Sequence, residues 1–304
     1  MYVRRCWTAV MMLASVACSG PSDQEAPEPP RTWNEVQGVD ARVLSIEGFS
    51  GPESVRYDPD QDVWFVGNFN GGGDDRDGNG FVSRVSAETG DIESLSFAAR
   101  GGEHPLHAPR GMFITGDTLW VADIDGVHGF HRVSGAAVAF IDLSGFEPGF
   151  LNDIAGGGDG ALYVTDTGRS RVYRVRGRTA TIALDEPGLG GPNGITWDPA
   201  RNRLILVPWQ EGFRMHVWFG DEAPEAFGPR DTPGQLDGVE PIDRRLLVAS
   251  QSDSSLQLVD AGGSRLVIRT GGRPADIGVD TRRRRVAVPF IALNRVDIWQ
   301  LPEE

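Results

Sequence analysis

Four side chains of this sequence carry oxygen at matching places in separate stretches: Glu53 in GPESV, Asn152 in FLNDI, Asn193 in GPNGI and Asp237 in QLDGV. Two carboxylates and two carboxamides brought together would give a divalent cation hard oxygen ligands, and their combined charge of −2 would match it. Each stretch opens with Pro or Leu, passes through a variable residue to a small or acidic one, and ends on an aliphatic residue. Pro109-Arg110-Gly111-Met112 and Pro274-Ala275-Asp276-Ile277 complete the set, adding Arg110 and Ala275 at the variable position. One Asn or Asp before Gly is commonly a turn residue and no more. Four oxygen-bearing residues in equivalent places, Glu53 among them, exceed that preference. Arg110 could clamp a substrate, or else pair with Glu53 or Asp237.

Histidine is the other residue type suited to moving protons near neutral pH, and the chain has 5. His107 stands three residues before Arg110 and is a candidate base; an exposed loop histidine is the plainer reading. His104 lies in the same connection. His128 and His131 look like a ligand pair, but three apart on a strand they face opposite sides and do not suit one metal. His216, among Met215, Val217 and Trp218, reads as packed between blades. In NGGGDDRDGNGF, residues 70–81, Asp75, Asp77 and Asn79 alternate as in a calcium loop. The twelfth position from Asp75 is Ser86, where an EF-hand needs a bidentate Glu, so a glycine-rich insertion is the simpler reading. No Gly-x-Ser-x-Gly or His-Glu-x-x-His occurs, and the absence of lysine excludes Schiff-base chemistry.

The elements that must position these residues show themselves as a repeat. The six stretches start 57, 42, 41, 44 and 38 residues apart. Each start leads into a short strand, a turn such as Gly116-Asp117 or Asp159-Gly160, and a more apolar strand (63–66, 119–122, 162–165, 204–207, 246–249, 286–289). A third strand and usually a fourth follow, as at 172–175 and 181–184. β-branched and aromatic residues bounded by Gly, Asp and Pro, with no helical period, predict strands throughout. Six four-stranded antiparallel units predict an all-β, six-bladed β-propeller over 42–304. The last unit is one strand short, and 42–49 is a strand with no unit of its own, so it should close the ring. In such a meander the inner strands all start at one face, with the 2–3 loops. The six variable residues should therefore ring one channel mouth, and Trp209 and Gln251 should line its wall. The 70–81 insertion should overhang it as a lid. The arginine run 282–285 falls in a turn at the opposite face and reads as solvated.

The chain ends suggest export. Arg4 and Arg5 precede a short apolar run, and Ser15-Val16-Ala17-Cys18 follows the layout of a secretion signal over 1–17, too short to span a bilayer. Cys18 stands as in the lipobox of bacterial lipoproteins, although Ser15 occupies the usual Leu place; an ordinary signal peptide is the alternative. Lipid on Cys18 would anchor the protein to a bacterial membrane, facing the periplasm or exterior, with no other membrane contact. The only other cysteine is Cys6, so the mature chain would have no disulfide and no cysteine-ligated zinc. Residues 18–41, rich in Pro, Ser, Glu and Asp, predict a flexible tether. A net charge of −14, or −16 without Arg4 and Arg5, disfavours nucleic acid as partner. A monomer is expected.

The motifs also resemble a known family: the senescence marker protein (regucalcin), gluconolactonase and related lactonases. The resemblance spans roughly residues 42–301. It implies a six-bladed propeller with one divalent cation, calcium or zinc, on its axis. A first-blade Glu, an Asn in an SNG-like motif and an Asp in a PDG-like motif bind metal in that family. Glu53 in GPESVRYD, Asn193 in GPNGITWD and Asp237 in QLDGVEPI match them. Asn152 in FLNDIAGG matches an Asn of an NDG motif that contacts substrate beside the metal. The resemblance implies hydrolysis of a lactone or related ester, with the cation, calcium ahead of zinc, polarising the carbonyl and Asp237 as general base. Phe150 stands where the family's sugar lactonases carry Arg, and Arg110 could replace that cation. A non-catalytic propeller binding a small ligand or protein partner at the same ring is the rival reading. A purely stabilising metal is a third.

Overall fold

Strands form where the repeat places them, and their burial falls off from the axis outward. The computed structural model describes residues 32–98, 103–220, 222–230 and 232–303. Its strands make six four-stranded antiparallel sheets, the blades of a β-propeller. Blade one comprises Pro52–Asp58, Val63–Asn68, Phe81–Ser86 and Ile92–Ala98. Second strands such as Val63–Asn68 are buried at every residue, because neighbouring blades cover both faces. This is why they read as unbroken apolar runs. Outer strands such as Ala137–Asp142 leave much of their length to water.

Six apolar clusters form the core, one at each blade interface. Blades one and two enclose Phe65, Leu106, Met112 and Leu119; blades five and six enclose Leu256, Phe290 and Trp299. Burying each such aliphatic or aromatic side chain contributes roughly 1.5–3 kcal/mol. Arg42–Glu47 pairs antiparallel with Arg295–Gln300 and forms the outer strand of blade six, closing the ring as predicted. The buried Asp297 carboxylate fastens this seam, accepting from Ser45 Oγ at 2.6 Å and Arg42 Nη1 at 3.0 Å.

Two expectations change. The segment read as a tether is seated on blades five and six from Trp33 onward. Trp33 is 8% exposed within their cluster, the Gln37 amide donates to Val267 O, and Trp299 Nε1 donates to Gly38 O. Its earlier residues, and the signal segment with Cys18, lie outside the described residues. The 282–285 run, expected to be solvated, ties blades together. Arg283 pairs with Asp62 of blade one at 2.5 Å and Arg284 with Asp243 of blade five at 2.8 Å. Both are two-pronged contacts of the kind a guanidinium makes and an ammonium does not.

Candidate metal centre at the channel mouth

The inner strands aim the ring residues by slipping register. Pairing with the second strand runs from Pro52↔Asn68 to Ser54↔Gly67, and from Leu151↔Asp166 to Ile154↔Val164. It runs likewise from Pro192↔Pro208 to Ile195↔Leu206, and from Leu236↔Ser250 to Val239↔Val248. Each bulge leaves one extra residue on the inner strand and redirects the side chains within it. Those side chains include Glu53, Asn152, Asn193 and Asp237. Neighbouring inner strands meet almost backbone to backbone here. A Cβ on Gly194 would lie 2.2 Å from Asp237 O, and one on Gly238 2.3 Å from the Ile277 nitrogen. Crowding at the axis therefore demands glycine at these two positions. Elsewhere a hydroxyl stitches the blades, Ser54 Oγ to Arg110 O and Thr165 Oγ1 to Asn193 O at 2.6 Å.

All four oxygen-bearing ring residues are at least nine-tenths buried, and each has one side-chain oxygen without a hydrogen-bond partner: Glu53 Oε2, Asn152 Oδ1, Asn193 Oδ1 and Asp237 Oδ1. A single unpaired buried polar atom costs about 1–3 kcal/mol. Two of the residues are held through their other atom. Asp237 Oδ2 accepts from Gln251 Nε2 at 2.6 Å, and Arg273 Nε braces Gln251 at 3.0 Å. Asn152 Nδ2 donates to Thr167 Oγ1 at 3.2 Å, which leaves its oxygen free. Asp276 adds a fifth unpartnered oxygen, Oδ2, at 3% exposure. Asp153 does not, since its oxygens accept the Ile154 and Ile195 amides at 2.7 and 2.8 Å. Neither acid stands out in the sequence, where the third motif position reads as a spacer. An acid where the other four stretches take glycine or serine was the signal available.

Burial raises these carboxylates. Asp237 is pushed up to about 7 by desolvation, with Gln251 pulling the other way. Asp153 also reaches about 7, burial being opposed mainly by Arg56. Glu53 is raised well above its ordinary value by burial and by Asp237, and Asp276 by burial and by Asp153. A cation among them would reverse this, because an opposite charge favours the ionised form. Carboxylate and amide oxygens without sulfur or imidazole fit a hard divalent ion.

Arg110 is 1% exposed and does not pair with Glu53 or Asp237. Its guanidinium lies 3.7 Å over the Phe150 ring, Nη1 donates to Leu151 O at 3.0 Å, and Nη2 donates to Gly73 O. Asp74 Oδ1 lies 3.6 Å from Nη2. The 70–81 insertion thus folds against Arg110. Its acids serve its own turns, Asp75 accepting the Gly72 amide and Asp77 holding Asn79. His107 is not directed at the ring, which corrects its candidacy as base. Its Nδ1 accepts the Gly78 amide at 2.9 Å, and its Nε2 faces Asp125 at 3.9 Å. His131 turns to Ser134, so it shares nothing with His128. Trp209 follows the second strand of blade four, Arg203–Pro208, half-buried, its amide on Gly191 O.

Below the mouth the channel is barred. Arg56 Nε donates to Met112 O of blade two at 2.7 Å, and Nη1 to Glu240 Oε1 of blade five at 2.6 Å. A groove of about 610 Å³ on the far side, lined by Tyr163, Trp197, Trp218 and Phe219, contains no unpartnered buried polar atom and is not the candidate site.

A six-bladed propeller gathering unpartnered acid and amide oxygens at its axis is the class these features define. No family model matches the chain, and no curated protein matches its sequence. Among solved structures it is similar to a gluconolactonase from Xanthomonas campestris, with TM-score 0.66 and 17% identity over 86% of this chain and 92% of that one. It is also similar to regucalcin from Agrobacterium tumefaciens, a calcium-binding protein, with TM-score 0.63 and 17% identity over 88% and 97%. Virginiamycin B lyase from Staphylococcus aureus aligns with TM-score 0.57 and 11% identity over 85% and 99%. At such identities the likeness establishes the fold, which unrelated chemistries share.

Proposed function

We propose that the protein is a divalent-metal-dependent hydrolase that opens a lactone or related ester at the channel mouth. The observation carrying this reading is the set of unpartnered buried oxygens on Glu53, Asn152, Asn193 and Asp237. Glu53, Asn193 and Asp237, with Asn152 and Asp276 beside them, would hold the cation. When bound, it would supply Lewis-acid polarisation of the ester carbonyl, a contribution of several kcal/mol. The gluconolactonase and regucalcin neighbours support the reading at the level of fold.

The chain's own residues have separable tasks. Gln251 fixes Asp237 through Oδ2 and leaves Oδ1 to take a proton from attacking water. Arg110, backed by Phe150, presents positive charge to an anionic or hydroxyl-bearing substituent, and its Nε has no partner. Arg56 and Glu240 bar the channel, so substrate and water would share one entrance. The rival reading is a non-catalytic binding site, favoured by Phe150 in place of a second cation and by an Arg110 already engaged with the 70–81 insertion. A lactone and ester panel, run with and without chelator on wild type and Asp237→Ala, separates the two. Turnover lost in both the chelated sample and the variant is the expected result. Calcium bound without turnover of any substrate would leave the binding role, and turnover indifferent to chelator would remove the metal.

We also propose that the protein is exported, anchored to a bacterial membrane by lipid on Cys18, and acts as a monomer on small molecules rather than nucleic acid. The −14 net charge supports the last point. Cys18→Ser should move the protein from the membrane to the soluble fraction; unchanged partition refutes the anchor.

A further inference from the structure

Three of the chain's 5 histidines gather at blade two, around Phe140 and Asp125. His104 stacks on Phe140 at 4.1 Å, and His128 packs against the same ring at 4.7 Å. His128 lies on the third strand of the blade, Gly126–His131, and is 2% exposed. Its Nε2 stands 3.4 Å from Asp125 Oδ1 and 3.6 Å from Asp123 Oδ2. A charged hydrogen bond to a carboxylate is shorter, about 2.7–2.9 Å. The buried ring nitrogen therefore faces two carboxylates, with a long hydrogen bond to Asp125 and none to Asp123. Ligands held about 2.1 Å from a tetrahedral ion, by contrast, stand about 3.4 Å apart.

The surroundings prepare those oxygens. Asp123 Oδ2 accepts the His107 amide at 2.6 Å, and Oδ1 accepts the Ala108 and Ile124 amides at 2.7 and 2.8 Å. These bonds fix the carboxylate and leave a lone pair on Oδ2 for a further partner, as outer hydrogen bonds do for metal-binding carboxylates. His107 has a different part. Because its Nδ1 accepts the Gly78 amide, the proton of the neutral ring sits on Nε2, which faces Asp125 Oδ2 at 3.9 Å. At this distance it makes no hydrogen bond to Asp125, and it is placed to serve as an outer partner of that carboxylate rather than to bind an ion.

We propose that Asp123, Asp125 and His128 form a second metal site, for a zinc-class divalent ion, sharing no ligand with the axial ring. Two carboxylates neutralise the ion's charge, and the imidazole nitrogen selects a transition metal over calcium, which prefers six to eight oxygens. Three protein ligands leave one position of a tetrahedron open. The site would bind the 2–3 turn of blade two to its third strand. Through His107 and Gly78 it would also steady the insertion that covers Arg110.

Cobalt(II) tests this on the full-length, chelator-stripped protein, since its visible absorption reports both tetrahedral geometry and stoichiometry. One tetrahedral cobalt per chain is expected, displaced by zinc but not by excess calcium. His128→Gln and Asp125→Asn should each weaken it by about 100-fold or more, and His107→Gln by about 10-fold. Asp237→Asn should leave it intact. The Asp125 side chain is 21% exposed, so its variant should melt where the stripped wild type melts, which separates lost binding from lost folding. Cobalt binding abolished by Asp237→Asn yet indifferent to His128→Gln would overturn the proposal, as would no tetrahedral cobalt at all.

Discussion

Asp237 has two oxygens in different circumstances. Oδ2 is held by Gln251 while Oδ1 has no partner, so the residue is oriented without being neutralised. Gln251 also pulls the Asp237 pKa down against the burial that raises it, and the balance stands at about 7. Gln251→Ala should therefore raise it further. A base works ionised, so the acid limb of the kcat/KM profile should move to higher pH. The rate at pH 7 should fall by about 10–100-fold, the usual loss when a residue orienting a metal site is removed. A bound cation would lower the limb in both proteins without changing the direction of the shift. A profile and rate unmoved by the substitution would argue against Asp237 as the base. Arg110 illustrates the limit of reading at this scale. Its conspicuous ring position was visible in the sequence; its partners Phe150, Gly73 and Asp74 come from two other segments.

At the scale of elements, bulges aim the ring and one loop covers it. The 70–81 insertion contributes Gly73 O and Asp74 to Arg110 and the Gly78 amide to His107, and its Asn79 Oδ1 is buried without a partner. Deleting residues 71–78 should thus change KM or substrate choice severalfold while leaving calcium affinity within about twofold, because the inner strands that aim the ligands are untouched. Titration calorimetry alongside steady-state kinetics checks both halves. Loss of axial calcium binding would show the loop to be part of the metal site. Alternating acids made this loop resemble a calcium site. Only the fold shows them spent on the loop's own turns.

For the whole molecule, closing six blades on one axis buries acids away from water, and this should appear in stability. Asp237 and Asp153 have folded pKa values of about 7, against about 4 for an unfolded chain. A raised acid favours the folded state while protonated. Its contribution is fully present below about pH 4 and is lost as pH rises through about 7. Each group ionising alone would remove on the order of 4 kcal/mol, at 1.36 kcal/mol per pKa unit. Stripped protein should therefore unfold at lower denaturant at pH 8 than at pH 5, and calcium should restore most of the difference at pH 8. Equal midpoints in chelator at the two pH values would mean that burial does not raise these acids.

The sequence alone determined the architecture, because a repeat imposes the same strand order and apolar pattern six times. It also determined which residues start each inner strand, and so Glu53, Asn152, Asn193 and Asp237 were legible as a ring before any fold was seen. Contacts between blades were not legible. The acid at Asp276, the brace of Gln251 and Arg273, and the bar of Arg56 and Glu240 join residues from separate repeats. The direction of His107 depends on Gly78 and Asp125, one from each neighbouring blade. His128, dismissed as a partner for His131, meets Asp123 and Asp125 only once the strand pleat and the 2–3 turn are in place. Periodicity along the chain reports which way a strand faces. What a side chain meets there is decided by the neighbouring blade, and only ring closure brings that neighbour into contact.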